Sequence, residues 1–201
     1  MIIQDINGIR NTGTGHLAFF FFDFKDAGKQ DARALLSSII VQLSNRSVGF
    51  FDVLDGFYSA HRDGKQQPSI SALTQCLEDM LKVPEELPIY LVIDAIDECP
   101  NTTGVPSSRD QVMTLLERLI TLKLPNLHLC VTSRPEADIR TFLEPLTPTS
   151  NTISLHDESG QKKDIVEFVT SKVRTDKNMR RWREADKALV INTLSKKADG
   201  M

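Results

Sequence analysis

The stretch from Pro88 to Pro100 reads Pro-Ile-Tyr-Leu-Val-Ile-Asp-Ala-Ile-Asp-Glu-Cys-Pro. The apolar run at residues 89–93 has the length and composition of a buried strand in a parallel sheet. It ends in three carboxylates, Asp94, Asp97 and Glu98. Ligands of open α/β sheets bind beyond the carboxyl ends of the strands, and clustered acids there suit a divalent cation on phosphates. A strand that runs into a solvated acidic turn explains this single motif equally well.

A second apolar run, residues 127–131, ends in Thr-Ser-Arg-Pro at residues 132–135. Pro135 can occupy the first position of a following helix. If both runs are parallel strands, Arg134 lies at the same sheet edge as Asp94, where a guanidinium can hold a terminal phosphate through two donors. The alternative is an arginine that pairs with a surface acid. The two motifs together favour a phosphate site.

Strand and helix patterns alternate along the whole chain, which predicts an α/β fold with a parallel sheet flanked by helices. Apolar patterning predicts strands at residues 17–22, 89–93, 127–131 and 153–155, and helices at residues 2–9, 32–43, 50–58, 70–81, 110–122, 159–174 and 184–194. We expect residues 1–156 to form the α/β core and residues 157–201 to begin a helical subdomain.

Composition narrows the functional class. With 201 residues, 40% of them hydrophobic, the chain can bury a core. Its net charge of −3 provides no basic field for nucleic acid or an anionic membrane. The three cysteines, Cys76, Cys99 and Cys130, are odd in number and widely spaced, which is typical of reduced thiols in a cytoplasmic protein. We therefore expect a cytoplasmic protein with no nucleic-acid partner and no membrane partner.

Three motifs in order carry a family resemblance: Phe-Phe-Phe-Asp-Phe-Lys-Asp at 20–26, Asp-Ala-Ile-Asp-Glu-Cys at 94–99, and Thr-Ser-Arg-Pro at 132–135. With them the chain resembles the NACHT-type P-loop NTPases of the STAND class, in the style of fungal NLR-like proteins. The resemblance implies a signalling ATPase switch of fungal innate immunity that uses ATP and Mg²⁺, with the acidic motif as its Walker B.

The resemblance also implies roles for single residues. Asp94 would hold Mg²⁺ through water, because magnesium uses few protein carboxylates. Asp97 or Glu98 would orient or deprotonate the attacking water, and Arg134 would contact the terminal phosphate of ATP. Asp23 would stand behind the site or cap the start of the next helix.

One departure from the family pattern limits these implications. No segment reads Gly-x-x-x-x-Gly-Lys-Ser/Thr, and the Gly-Lys pairs at 28–29 and 64–65 are both followed by Gln. Because that loop cradles the phosphates, we expect weak ATP binding or none. We also expect a family domain cut at both ends, without the first strand of the P-loop sheet. The 127–131 strand would then keep an unpaired edge, and the isolated chain would be marginally stable or partner-dependent.

Three functions remain open at this point. The first is a partial NACHT nucleotide-binding module. The second is a non-catalytic interaction fragment that keeps the NACHT surface and associates with itself or with related NACHT proteins. The third is an unrelated α/β enzyme, for example a hydrolase that uses Asp94 and Arg134, although the chain has no Gly-x-Ser-x-Gly motif.

Overall fold

A computed structural model describes residues 14–101, 106–154 and 159–197 of the chain. Three strands form one sheet: β1 (His16–Phe21), β2 (Ile89–Asp94) and β3 (Leu127–Val131). Seven α-helices are described: α1 (Ala32–Ser44), α2 (Val48–Ala60), α3 (Ile70–Leu81), α4 (Ser108–Thr121), α5 (Ala137–Leu143), α6 (Ser159–Thr175) and α7 (Glu184–Lys197). The predicted helix at residues 2–9 lies outside the described residues.

The sheet is parallel, with β2 in the centre and β1 and β3 on either side. Its register aligns Ile89 with His16 and with Leu127, so the three strands begin level, and β3 ends one residue before the other two. The predicted α/β class, a parallel sheet flanked by helices, is confirmed. Because all three strands run the same way, the chain segments that follow them meet at one sheet edge.

One face of the sheet forms the core of the first unit. Alternate strand residues, including Phe20, Leu91 and Ile93, belong to one buried cluster with helix residues such as Leu36 and Leu77. This alternation follows from the two-residue period of a strand. Full burial of one such side chain contributes roughly 1.5–3 kcal/mol, so the shared cluster fixes the helices on the sheet.

Four helices begin at side chains that the local sequence supplies. Asp31, Ser47, Ser69 and Ser107 each accept a hydrogen bond from the backbone N–H three residues further on, at the starts of α1, α2, α3 and α4. At α4 the Asp110 carboxylate also accepts from the Ser107 N–H at 2.9 Å, which completes a capping box. Such caps satisfy backbone donors that a helix cannot pair internally.

The outer strands β1 and β3 differ in whether the backbone groups along their outer sides have hydrogen-bond partners. The Gln42 side chain on α1 accepts from the Phe19 N–H at 3.1 Å and donates to the Phe19 carbonyl at 2.7 Å. The side-chain amide therefore occupies both backbone groups of Phe19, which an added strand on β1 would need. Within the ranges that the structure describes, no strand pairs with the outer edge of β3.

Two sequence expectations were wrong in detail. A strand was predicted at residues 153–155; Ile153 and Ser154 have no strand conformation, and residue 155 lies outside the described residues. Ile153 is 75% exposed and so has no buried sheet face to stabilise it. Helix α5 begins at Ala137 with Glu136 at its N-cap, so Pro135 precedes the helix instead of opening it. Its fixed φ serves the extended link from β3 to the helix.

The chain divides into two compact units, Met1–Leu146 and Thr147–Met201. In the second unit α6 and α7 contact each other, and Val173 is buried. The sequence predicted the boundary after residue 156. That position lies within residues 155–158, which the structure does not describe. Among the helices described, none combines the length and hydropathy needed to cross a membrane.

Candidate functional site

The ends of β2 and β3 are joined around Thr132. The Asp94 carboxylate accepts a hydrogen bond from the Thr132 hydroxyl, and the Ala95 N–H donates to the same hydroxyl oxygen at 3.1 Å. The Ile96 N–H donates to the Thr132 carbonyl at 3.1 Å. Ala95 has a left-handed backbone with φ of 57°, which is costly for a residue with a Cβ. These bonds hold the chain in a sharp turn directly after Asp94.

Asp97 and Arg134 form the pair at the centre of this edge. Asp97 lies in a 3₁₀ turn (Ile96–Glu98). Its carboxylate accepts from the Arg134 N–H at 2.9 Å, and the Arg134 Nε lies 3.4 Å from it. The Asp97 side chain is only 7% exposed, whereas that of Arg134 is 80% exposed. The acid is thus a buried support, and the outer part of the guanidinium faces solvent.

Glu98 and the residues after β1 complete the edge. The Glu98 carboxylate accepts from the Phe24 N–H at 3.2 Å. The Asp23 carboxylate has a local partner instead, because it accepts from the Lys25 N–H at 2.9 Å within its own turn. The following 3₁₀ turn is capped by Asp26, which accepts from the Gly28 N–H at 3.0 Å. Asp23 therefore shapes the turn, without capping that 3₁₀ turn.

A cleft of about 360 Å³ opens at this edge. The residues that line it come from the segments after all three strands and from α4: Phe24, Asp97, Glu98, Cys99, Pro100, Arg109, Arg134 and Glu136. Three of the four predicted site residues therefore share one cleft. Asp94 is at the same sheet edge but is not among the lining residues.

Arg109, which the sequence analysis did not single out, is the buried cation of the cleft. Its side chain is 8% exposed. It donates to the carbonyls of Cys99 at 2.9 Å and Asp97 at 2.6 Å, and to the carboxylates of Glu136 and, at 3.0 Å, Asp138. Nothing in the local pattern distinguishes an arginine in the first turn of a helix from a solvated one. Its four acceptors become neighbours only in the folded chain.

The charges around Arg109 stabilise one another. Burial disfavours the arginine charge, but the hydrogen bonds to Glu136 and Asp138 outweigh it and raise the pKa of Arg109. Burial also acts against the Asp138 carboxylate, yet the hydrogen bond from Arg109 holds the pKa of Asp138 below its usual value. Both groups are therefore ionised at neutral pH, and the buried arginine charge is compensated by two partly exposed carboxylates.

The three cysteines are free thiols that are buried or partly buried. Cys99 is fully buried, and its thiol donates to the Gln30 carbonyl at 3.3 Å. Burial raises the pKa of Cys99 to about 12 and that of Cys76 to about 11. Burial, followed by the nearby Asp94 charge, also raises the pKa of Cys130. Thiols that stay protonated at neutral pH are poor nucleophiles, so the chemistry of the cleft belongs to its charged residues.

The described residues contain no group of three or more His, Cys, Asp or Glu side chains placed to hold a metal ion. Asp94, Asp97 and Glu98 are consecutive acids in the motif, but their carboxylates have separate partners: Thr132, Arg134 and the Phe24 N–H. The site thus offers single carboxylates and no preformed cation cage.

Comparison with known proteins gives one family. The protein-family model described as "Nephrocystin 3, N-terminal" matches residues 1–134. No curated protein and no solved structure matches the chain. The matched region covers more than half of the 201 residues and includes the three strands and the segment that ends at Arg134. The chain belongs to the Nephrocystin 3 N-terminal family.

Proposed function

We propose that this chain is a NACHT-type nucleotide-binding signalling module of the STAND class, in the fungal NLR-like style, with weak nucleotide affinity of its own. One observation carries the proposal. Arg134 and the acids after β2 meet in one cleft at the carboxyl edge of a parallel sheet. That is where open α/β sheets bind ligands.

Arg134 would contact the terminal phosphate. Asp97 fixes its backbone N–H and its Nε, so the guanidinium is oriented, while the side chain stays 80% exposed. An oriented guanidinium with its outer N–H groups in solvent matches the paired oxygens of a phosphate. Asp97 then serves as the support of Arg134, which leaves Glu98 as the better candidate to orient an attacking water.

Asp94 would hold Mg²⁺. The residues fit this ion in one respect, because magnesium keeps several waters and takes few protein carboxylates, and the carboxylates of the acidic motif have separate partners. Bound there, the ion would neutralise phosphate charge. The hydrogen bond from Thr132 would orient the Asp94 carboxylate toward it.

Weak affinity follows from the two Gly-Lys pairs. Gly28 and Lys29 lie in a 3₁₀ turn, where the Gly28 N–H donates to Asp26 and the Lys29 Nζ lies 3.1 Å from the same carboxylate. Gly64 and Lys65 lie in the turn after α2, where the Lys65 N–H donates to the Arg62 carbonyl. Neither pair offers the row of free backbone N–H groups that cradles phosphates.

Chemical-shift mapping of the ¹⁵N-labelled chain with Mg-ATP tests the proposal. We expect dissociation constants in the millimolar range, about −4 kcal/mol, with shifts concentrated at Ala95, Asp97, Glu98 and Arg134. Adenosine should leave the Arg134 amide unchanged, because it has no phosphate. Arg134→Gln should abolish the triphosphate effect. Arg140→Gln is the matched control, since Arg140 on α5 is an exposed arginine paired with Glu144, the residue after that helix.

The alternative is a non-catalytic interaction fragment that associates with itself or with related NACHT proteins. The β3 edge, which has no strand partner in the described ranges, favours it. No Mg-ATP shift in the cleft at millimolar ligand, together with a concentration-dependent sedimentation coefficient, would reject the nucleotide function in favour of this one.

A further inference from the structure

We propose that Arg109 is a positioning residue that joins the acidic loop after β2 to the arginine-bearing segment after β3. The inference rests on the proposed function only for its effect on nucleotide. That Arg109 joins the two segments depends only on its hydrogen bonds within the chain.

On one side Arg109 holds the backbone of the loop that follows β2. Its Nε donates to the Cys99 carbonyl at 2.9 Å and its Nη2 donates to the Asp97 carbonyl at 2.6 Å. These two carbonyls flank Glu98. Two donors on one planar group constrain the loop in both position and orientation.

On the other side Arg109 holds the segment that leads from β3 into α5. Its Nη1 donates to Glu136, the N-cap residue of that helix, and to Asp138 at 3.0 Å. Asn101 adds a bond from the loop side, since its Nδ2 donates to Asp138 at 3.1 Å. The arginine side chain, 8% exposed, therefore lies between the two segments and contacts both.

The consequence concerns Asp97 and Arg134. Arg109 fixes the Asp97 carbonyl, and the Asp97 carboxylate in turn fixes the Arg134 N–H. Glu136, two residues after Arg134, is fixed by Arg109 from the opposite side. The position of the exposed Arg134 guanidinium thus depends on a buried arginine in the first turn of α4.

A lysine at this position separates positioning from mere charge balance. Arg109→Lys keeps a cation beside Glu136 and Asp138, but one ammonium cannot reproduce the fork that reaches both segments. Arg118→Lys is the matched control on the same helix, because Arg118 pairs with Glu78 and is 43% exposed. Both variants are made in the full chain of 201 residues.

The readout is the Arg134 backbone amide, followed by hydrogen exchange and chemical shift in the absence of ligand. We expect Arg109→Lys to speed its exchange about tenfold, which matches the loss of about one hydrogen bond. Core amides, such as that of Leu91, should change no more than in Arg118→Lys. An Arg134 amide that behaves alike in both variants would overturn the proposal.

A second variant covers the case in which Arg109→Lys does not fold. The double substitution Glu136→Gln and Asp138→Asn leaves Arg109 and its loop contacts in place but weakens its hold on the segment after β3. Faster Arg134 exchange in this variant supports the proposal, and unchanged exchange in the folded variant overturns it.

Mg-ATP then separates the two proposals. If the wild-type chain shows millimolar shifts at Arg134 and Arg109→Lys loses them, both stand. If the wild type shows no shifts while Arg109→Lys still frees the Arg134 amide, the nucleotide function fails and the positioning role stands.

Discussion

The two units of this chain differ in the extent to which they bury their large apolar side chains, although a few in the first unit, such as Val48, are exposed too. In the first unit, large side chains such as Leu36, Leu77 and Ile93 are about as fully buried as a side chain can be. In the second, Phe168 is 63% exposed and Leu189 is 66% exposed. Burial is the main favourable term in folding, so the first unit is stabilised by its own core. The helices of the second unit keep apolar surface that its described residues do not cover.

The sharpest test of this contrast is a cavity in the first unit. Leu77→Ala on α3 removes a side chain that is 1% exposed. We expect a loss of about 2–5 kcal/mol of unfolding free energy, because a well-packed site cannot collapse around the missing atoms. Urea unfolding followed by tyrosine fluorescence measures it, since both tyrosines, Tyr58 and Tyr90, lie in this unit.

The single tryptophan provides the matching control. Trp182 lies in the second unit, so its fluorescence follows that unit alone. If Leu77→Ala shifts the tyrosine and tryptophan transitions by equal amounts, the two units unfold as one, and the contrast in burial has no thermodynamic counterpart.

A smaller loss is expected at the start of α4. Ser107→Ala removes the oxygen that accepts from the Asp110 N–H at 3.0 Å and breaks the capping box. A lost N-cap costs about 1 kcal/mol. Ser108→Ala, one residue into the helix, is the control that removes a hydroxyl without removing the cap. Equal midpoints for the two variants in urea would contradict the role of Ser107.

Acid should weaken the same helix start. Hydrogen bonds with the backbone and side chain of Ser107 hold the pKa of Asp110 below its usual value in the folded chain. A carboxylate with a lowered folded pKa contributes stability above its unfolded pKa and loses it as the pH falls through the folded one. The loss therefore begins below about pH 4. Asp110→Asn should flatten this part of the stability curve, whereas a curve as steep as that of the wild type would exclude Asp110 as a source.

The sequence predicted the regular parts of the first unit because their signals are local. The strand at 127–131 and the helix at 70–81 were predicted with the ends that the structure shows. Breakers and caps beside them, such as Ser69, set those ends. A helix was expected after Pro135, but the bounds of α5 were not predicted, since its seven residues offer too few turns for a period to show.

The sequence predicted that three of the site residues lie at one end of the sheet, but not how they pair or that Arg109 is among them. Parallel strands force Asp94, Asp97 and Arg134 to one edge, which the order of the motifs already implies. That Asp97 supports Arg134, and that Arg109 joins the two segments, depends on contacts 37 and 12 residues apart in the chain. The spacing and composition of the sequence do not predict long-range contacts of this kind.

The smallest change in unfolding free energy is expected for an exposed leucine of the second unit. Leu189→Ala on α7 is the same substitution as Leu77→Ala, but the side chain is 66% exposed. Alanine is also a slightly better helix former than leucine, and exposed substitutions stay within about 0.5 kcal/mol. Urea unfolding followed by Trp182 fluorescence should therefore be unchanged. A loss of about 2 kcal/mol or more, as expected for a core leucine, would mean that the apolar face around Leu189 is covered in solution. A concentration dependence of that loss would assign the cover to a second copy of the chain.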